Sequence, residues 1–155
     1  MNNPDPQYSP FSLSNIDAKD EKLLSVTVLS GQLLPSADGK GFGGDKINPY
    51  VKVRIRGHPG DKENKGVTEH INANGFNPVW NKTFKFSIKV PSLAFLEFRV
   101  KSKVARGNDQ NLGAFCCPLN MVQEGFRRVI LKSYQRTNNI SPASLLVRTE
   151  FINQI

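Results

Sequence analysis

An uninterrupted alternation of apolar and polar residues runs through residues 83–90. The apolar members are Phe84, Phe86, Ile88 and Val90, and the polar members between them are Lys85, Ser87 and Lys89. Because successive side chains of a β-strand point to opposite faces, this period of two predicts a strand with one buried and one solvated face. Turn-forming pairs at 74–75 and 77–78, and the only tryptophan, Trp80, precede it. The sequence therefore predicts a tight polar loop that leads into a half-buried strand.

Seven further segments have the composition of short strands. They span 24–29, 49–56, 67–71, 94–100, 112–119, 126–131 and 144–152. Turn-forming Gly, Pro and Asn residues separate them, and only 120–123 suggests a helical turn. Short strands divided by such turns are typical of a β-sandwich, so the sequence predicts an all-β fold with eight strands.

The length of 155 residues suits one domain. Residues 1–21 are polar and rich in proline, which predicts a flexible tail or linker ahead of a domain at 22–155. We find neither a secretory signal nor a run of about 20 apolar residues. Cys116 and Cys117 are adjacent, and a bridge between strand neighbours would be strained, so we expect free thiols in a reducing compartment. The expected location is cytoplasmic and peripheral at membranes.

The chain is strongly basic, with 21 Lys+Arg against 13 Asp+Glu and a net charge of +8. Such an excess favours anionic partners, which include lipid headgroups, nucleic acids and acidic protein surfaces. The basic segments lack interleaved aromatic residues on which bases could stack, so nucleic acid is not an expected partner.

Several motifs in a fixed order resemble one family. They are GQLLP at 31–35, NPYVKV at 48–53, NGFNPVW at 74–80 and VPSLAFLEF at 90–98, followed by shorter matches at 112–113, 118–119, 125–129 and 143–147. Together they resemble a C2 domain over about residues 23–152. More narrowly, they resemble the C-terminal C2 domain of eukaryotic phosphoinositide-specific phospholipase C. The resemblance implies an eight-stranded antiparallel β-sandwich of two four-stranded sheets.

The resemblance also implies that three loops, near 31–49, 72–82 and 101–111, gather at one end. In calcium-responsive members these loops carry clustered aspartates that share calcium ions with anionic lipid. The corresponding positions here hold Asn48, Ser102, Val104 and Gln110. Asp38, Asp45 and Asp109 remain nearby among basic residues, although Asp38 and Asp45 with backbone carbonyls leave an unusual weak site open. We expect no cofactor and no functional calcium site.

The sequence offers no catalytic constellation. Its two histidines, His58 and His70, are predicted to be surface residues without an adjacent nucleophile or carboxylate pair. The chemistry of the phospholipase that the chain resembles resides in a barrel of about 250 residues, which this chain has no room for. The prediction is a non-enzymatic domain, either a stand-alone protein or the C-terminal piece of such a lipase.

Two surfaces could bind anionic membrane lipids, including phosphoinositides, without calcium. The first is the loop end, with Lys40, Lys46, Lys101, Lys103 and Arg106 around an exposed Phe42 that could insert. The second is an outer strand face, predicted to combine Lys52, Arg54, Arg56, Lys85 and Lys89. Lys52 and Arg54 resemble part of the lysine-rich groove by which some C2 domains hold phosphoinositide headgroups, but Val67 and Glu69 depart from that pattern.

Two alternatives remain open from the sequence. C2 domains that have lost their aspartates often serve as protein–protein interaction or intramolecular scaffolding modules with no lipid binding, and a basic strand face could hold an acidic segment. Trp80 could belong to the core, or it could be exposed on the second loop and contact lipid.

Overall fold

The computed structural model describes residues 21–38, 41–132 and 143–153, and its strands form two four-stranded antiparallel sheets. The strands are β1 (Lys22–Gln32), β2 (Pro49–Arg56), β3 (Lys65–Val67), β4 (Val79–Ile88), β5 (Phe95–Ser102), β6 (Gln110–Pro118), β7 (Gly125–Ile130) and β8 (Ser144–Ile152). Sheet I has the order β4-β1-β8-β7, and sheet II has the order β3-β2-β5-β6. The predicted antiparallel β-sandwich is confirmed. Apart from Glu21, the predicted tail lies outside the described residues.

The core lies between the inner faces of the two sheets. On β1 every second residue is fully buried, namely Leu24, Val26 and Val28. On β2 the same alternation buries Val51, Val53 and Ile55. Because each such side chain contributes about 1.5–3 kcal/mol when removed from water, the alternation fixes which face of each strand is inside.

Strand β4 begins four residues before the predicted segment. Asn81 has a positive φ of 48° and lies where the register between β4 and β1 shifts by one residue, and the inward alternation then buries Phe86 and Ile88. Trp80 is partly buried and packs against the core. Its Nε1 donates a hydrogen bond to the carbonyl oxygen of Pro49 at 3.2 Å. The tryptophan is thus a packing residue between β4 and the start of β2.

Strand β3 ends at Val67, whereas the sequence placed a strand at 67–71. The hydroxyl of Thr68 explains the early end, because its Oγ1 accepts a hydrogen bond from the Val51 amide at 2.9 Å. A side-chain oxygen there takes the place of a backbone carbonyl in the ladder. Glu69 therefore lies beyond the strand. At its other end β3 begins two residues earlier than predicted, and this places Lys65 beside Arg54 of β2.

His58 is not a surface residue as predicted. It is 4% exposed, and its Nδ1 accepts a hydrogen bond from the amide of Gly60 at 2.9 Å, which caps a 3-10 turn at Pro59–Asp61. The neighbouring Asp61 is buried and accepts from the amides of Lys89 and Val90. These bonds fold the turn onto the end of β4, which buries the imidazole. His70 is exposed, as predicted.

Three smaller features complete the fold. Cys116 and Cys117 are both free thiols, as predicted. The helical turn expected near 120–123 is a 3-10 turn at Leu119–Met121. Within the described ranges, no helix has the length and apolar character that crossing a bilayer requires.

Candidate functional site

Basic side chains occupy the outer face of sheet II over the strands β3, β2 and β5. On β2 the residues between the buried ones point outward, and on β5 the residues between buried Leu96, Phe98 and Val100 do the same. Lys65 of β3 is the register partner of Arg54. We call the resulting surface the basic face; its members are Lys52, Arg54, Arg56, Lys65, Arg99 and Lys101.

Strand register sets these side chains side by side. Lys52 lies opposite Arg99, and Tyr50 lies opposite Lys101, in the pairing of β2 with β5. The basic face surrounds a depression of about 520 Å³, which is lined by Lys52, Arg54, Lys65, Val67, Arg99 and Lys101. A second depression of about 410 Å³ shares Lys52 and Val67 with the first. It extends toward the loop end and includes Tyr50, His70 and Lys103 in its lining.

A single carboxylate organises the arginines of this surface. Glu97 is 4% exposed and accepts hydrogen bonds from Arg54 Nε at 2.9 Å, Arg56 Nη1 at 3.1 Å and Arg99 Nε at 2.5 Å. Burial raises the pKa of Glu97, but the hydrogen bonds and charges of Arg54 and Arg99 outweigh it and hold that pKa below its ordinary value. The carboxylate is therefore ionised at neutral pH and fixes three guanidinium groups.

The lysines of the basic face are not engaged in the same way. Among the residues that the structure describes, no salt bridge reaches Lys52, Lys65 or Lys101. Their ammonium groups therefore remain available to an anion, whereas the guanidiniums contribute donors that Glu97 holds in place. Lysines without salt bridges beside arginines in fixed orientations are typical of a preformed anion-binding site, and less typical of independent solvated charges.

The structure divides the strand face that the sequence predicted. Lys52, Arg54 and Arg56 lie on sheet II, whereas Lys85 lies on β4 of sheet I and Lys89 directly follows that strand. Because the sheets pack with their inner faces together, their outer faces point in opposite directions. The prediction that all five form one surface is wrong.

Three members of the site, Glu97, Arg99 and Lys65, were missed from the sequence. The alternation in residues 95–102 places Glu97 and Arg99 on the outer side of β5 together with Lys101, a signal that the sequence does contain. Lys65 was hidden because the strand was predicted to start two residues later. The alternation within one strand does not show that β3, β2 and β5 are neighbours. That relationship is seen only in the strand order of the sheet.

Three loops meet at one end of the sandwich, and Asn48 connects them. We define loop 1 as residues 33–48, loop 2 as 68–78 and loop 3 as 103–109. Asn48 Oδ1 accepts from the amide of Ala73 in loop 2 at 2.9 Å, and Asn48 Nδ2 donates to the carbonyl of Lys103 in loop 3 at 3.1 Å. The backbone N–H of Asn48 donates a hydrogen bond to Ser102 Oγ at 3.0 Å. Both side chains, at positions where the family carries aspartates, are thus used in contacts within the protein.

The remaining carboxylate of loop 3 is also engaged. Asp109 accepts from the Tyr50 hydroxyl at 2.6 Å and from the amide of Val104 at 3.1 Å. The Tyr50 hydrogen bond is the main cause that lowers the pKa of Asp109. In return, burial and then Asp109 raise the pKa of Tyr50 to about 12. Gln110 is exposed at the start of β6.

The aspartates of loop 1 do not join this group. Asp38 accepts a hydrogen bond from the hydroxyl of Ser36, and Asp45 is exposed in the 3-10 turn at Gly44–Lys46. Within the described parts of the chain, no cluster of three or more His, Cys, Asp or Glu residues is placed to hold a metal ion.

Apolar side chains are exposed at the loop end beside basic ones. Phe42 of loop 1 is 50% exposed and Phe76 of loop 2 is 54% exposed. The amide of Leu33 donates to the carbonyl of Phe76 at 2.8 Å, which joins the two loops. Lys46, Lys103 and Arg106 are exposed and Lys101 is partly exposed, whereas Lys40 lies outside the described residues. Phe76 was not predicted here, although an aromatic residue among turn formers is a signal of exposure.

The fold and the loop end define a C2 domain. A family model described as C2 domain matches residues 22–134, and the chain belongs to this family. More narrowly, it is similar to proteins of the phospholipase C group. It is 37% identical over 124 residues to 1-phosphatidylinositol 4,5-bisphosphate phosphodiesterase delta-4 of Xenopus laevis, covering 80% of this chain and 16% of the relative. It is 32% identical over 147 residues to inactive phospholipase C-like protein 2 of Mus musculus, covering 95% of this chain and 13% of the relative.

Solved structures agree with this relationship. The crystal structure of S. officinalis PLC21 matches with a TM-score of 0.74 and 25% identity, covering 93% of this chain and 17% of that one. A C2 domain of plant extended synaptotagmin 1 matches with a TM-score of 0.63 and 24% identity, over 84% of this chain and 93% of that one, which supports the fold alone. The chain thus spans less than a fifth of these phospholipase C relatives.

Proposed function

We propose that this C2 domain docks on anionic membrane surfaces through the basic face and does so without calcium. The observation that carries the proposal is the depression of about 520 Å³ on the outer side of sheet II, which is lined by basic residues of three strands. Two of these residues, Arg54 and Arg99, are held by buried Glu97. A phosphoinositide headgroup, which presents several phosphates on a compact ring, suits a depression with this density of donors.

The charge of the basic face is sufficient for reversible attachment. Six basic side chains and one carboxylate leave a net charge of 6 − 1 = +5 on this surface. Each basic residue near an anionic leaflet contributes about 1 kcal/mol, so a face of this kind supports binding that salt weakens. The guanidiniums that Glu97 orients add bidentate donors for phosphate, which favour a phosphorylated headgroup over a singly charged lipid.

Calcium independence is supported by what occupies the loop end. Calcium requires about six to eight oxygen ligands, several of them carboxylates. Asn48 supplies a side-chain amide that already bridges loops 2 and 3, and Asp109 is held by Tyr50. The hydrogen bonds of Asn48 connect the loops that a shared ion connects in calcium-responsive C2 domains.

The loop end supplies a second contact with the bilayer. Phe42 and Phe76 are half exposed beside Lys46 and Lys103, and Leu33 is also partly exposed there. Aromatic rings placed near basic residues enter the interfacial region while the charges remain with the headgroups. The domain would then attach through the basic face and the loop tips together.

For the longer proteins that this chain resembles, we propose a docking role and not the chemistry. The relatives are named for a phosphodiesterase activity or for its absence, and the matched region is a small share of each. The domain would act as the non-catalytic piece of such a protein or as a separate module. A peripheral position at cytoplasmic membranes follows from that role.

Vesicle co-sedimentation tests the proposal directly. Phosphatidylcholine vesicles with increasing phosphatidylinositol 4,5-bisphosphate are mixed with the domain, in calcium or in a chelator, at low and high salt. We expect binding in the chelator that rises with the phosphoinositide and falls with salt. The double variant Lys52→Glu/Lys101→Glu should weaken it by about tenfold or more, since charge reversal removes the local attraction.

The matched control is Lys85→Glu/Lys89→Glu, which makes the same change in net charge on the opposite side of the sandwich. Because charges are screened over about 8 Å at physiological salt, this control should have a much smaller effect. Equal losses in both variants would show attraction by net charge without a site. Binding that requires calcium would contradict the proposed independence.

A further inference from the structure

A cleft on another side of the molecule is unrelated to the basic face. It has a volume of about 180 Å³ and opens between β6 of sheet II and β7 of sheet I. Its interior is apolar and includes Leu96, Phe98, Phe115, Val129 and Val147. Met121, Gln123 and Arg127 are exposed and contribute to its lining.

The shape of the cleft follows from how the two sheets are joined at this edge. Near the loop end, the amide of Ala114 on β6 donates to the carbonyl of Lys132 at 3.0 Å, and the amide of Lys132 donates back at 2.8 Å. These bonds close the sandwich there. Farther along, the 3-10 turn at Leu119–Met121 spans the end, and Thr149 Oγ1 donates to the carbonyl of Gln123 at 2.7 Å. The cleft lies between these two closures.

The size of the cleft limits what can occupy it. A cavity of about 150 Å³ lined by Leu, Ile and Phe holds one benzene molecule. The cleft of about 180 Å³ therefore accepts one large apolar side chain but not a whole acyl chain. This excludes a phospholipid tail as the natural occupant and favours a single anchor residue of a peptide.

The strand beside the cleft has features that suit an extended peptide. β7 has one neighbour, β8, so within the described residues its other side is an open sheet edge. On its outer face Phe126 is 62% exposed and Ile130 is 61% exposed. A strand added to this edge would place alternate side chains over the cleft and beside these two residues.

The charge at the cleft selects the composition of the peptide. Arg127 is exposed although its register partner Val147 is buried, so the arginine stands at the cleft mouth. No salt bridge reaches Arg127 among the described residues, whereas Nε of the neighbouring Arg128 already donates a hydrogen bond to Ser144 Oγ at 3.1 Å. We propose that the β7 edge and its cleft bind an extended acidic peptide segment, with one large apolar side chain in the cleft and carboxylates on Arg127.

Three synthetic peptides test this proposal, each followed by ¹⁵N chemical-shift perturbation of the full chain at physiological salt. DTETFTETD places phenylalanine and all carboxylates on one side of a strand. DTETATETD lacks the anchor, and KTKTFTKTK reverses the charge. We expect DTETFTETD to bind about tenfold or more tightly than either control, with shifts in β7 and in residues 121–123, because both the apolar anchor and the ion pairs contribute.

Variants of the domain identify the site. Arg127→Glu should weaken binding of DTETFTETD by about tenfold or more, whereas Arg127→Lys, which keeps the charge but loses the bidentate fork, should weaken it less. Lys82→Glu is the matched control on β4, the opposite edge strand of sheet I. It should have little effect, because three strand spacings of about 4.8 Å exceed the screening length of about 8 Å.

Other outcomes would overturn the proposal. Equal affinity for DTETFTETD and DTETATETD would show that the cleft holds no anchor residue. Loss of binding in Lys52→Glu/Lys101→Glu would place the peptide on the basic face. If DTETFTETD caused no chemical-shift changes at millimolar concentration, the proposed peptide site would be wrong. An inward-pointing charge on an edge strand also commonly protects against edge-to-edge aggregation. If that were the only role of Arg127, the affinity for DTETFTETD would be unchanged in Arg127→Glu.

Discussion

The side-chain amide of Asn48 donates a hydrogen bond to the carbonyl oxygen of Lys103 at 3.1 Å. A carboxylate at this position has no proton to donate, so the contact requires the asparagine. The same side chain accepts from the amide of Ala73, and one residue therefore connects all three loops. The loop end is joined by hydrogen bonds of the chain itself.

Asn48→Asp should therefore destabilise the domain by about 1–3 kcal/mol, the usual loss when one partner of a hydrogen bond is removed and an unfavourable contact is left. Chemical denaturation with and without calcium measures this. Asn120→Asp, an exposed position at the opposite end, is the control and should be nearly neutral. If calcium raised the midpoint of the Asn48→Asp variant well above that of the wild type, the remaining oxygens would be a competent calcium site after all.

Glu97→Gln should lower stability, because three guanidinium groups lose their shared carboxylate. Those arginines are partly exposed, so solvent screens part of the effect and we expect about 1–3 kcal/mol. The added positive charge should strengthen binding to vesicles of phosphatidylserine. The orientation of the guanidiniums should be lost, so preference for phosphoinositide over phosphatidylserine should decrease. An unchanged preference would show that Glu97 does not organise the site.

Acid titration of stability gives an independent measure of Glu97. Its pKa is lowered in the folded domain, so its contribution is complete above the unfolded-state value of about 4.3 and is lost as pH falls through the folded-state value. Denaturation midpoints measured from pH 6 downward should fall more steeply for the wild type than for Glu97→Gln. Parallel curves would show that other carboxyl groups account for the acid sensitivity.

Tyr50 should make the domain lose stability as pH rises, whereas Glu97 should make it lose stability as pH falls. Its pKa is raised to about 12, above an unfolded value of about 10, so its stabilising effect is present below pH 10 and is lost as pH rises toward 12. Tyr50→Phe should remove the hydrogen bond to Asp109 and flatten the loss of stability in this window. The check is a set of denaturation curves from pH 8 to 12, with tyrosinate absorbance followed in parallel. A variant as alkali-sensitive as the wild type would contradict the assignment.

How far the sequence predicts this molecule depends on the range of the interaction concerned. Alternation within one strand is a local property, and it correctly indicated the inner and outer sides of β1, β2 and β4. Which strands share a sheet is decided by pairing between distant segments, and the pattern carries no such information. Lys52 and Lys85 look equivalent in sequence, yet they lie on opposite sides of the sandwich.

Missed residues have similar explanations. Glu97 lies between apolar neighbours in a strand that was predicted correctly. Its role in the site depends on ion pairs with three arginines on two strands, which the local pattern does not show. His58 follows a glycine and precedes a proline, which predicts an exposed turn. Nevertheless it is 4% exposed, in a turn that the carboxylate of Asp61 holds against the end of β4. Contacts between distant segments decided both cases.

The exposed rings of the loop end give the last prediction. Phe42→Ala/Phe76→Ala should weaken vesicle binding in the chelator severalfold, because two interfacial aromatic contacts are lost while the charges stay unchanged. Stability should change little for Phe42, which is 50% exposed. Phe76 is the more sensitive position, because its ring packs beside Gly44, so each single variant is also measured.

The salt dependence of the double variant separates the two kinds of membrane contact. Loss of an apolar contact should lower affinity by the same factor at low and high salt, whereas loss of Lys52 and Lys101 should matter most at low salt. Affinity of the double phenylalanine variant that equals the wild type at every salt concentration would show that the loop tips stay outside the bilayer. Attachment would then rest on the basic face alone.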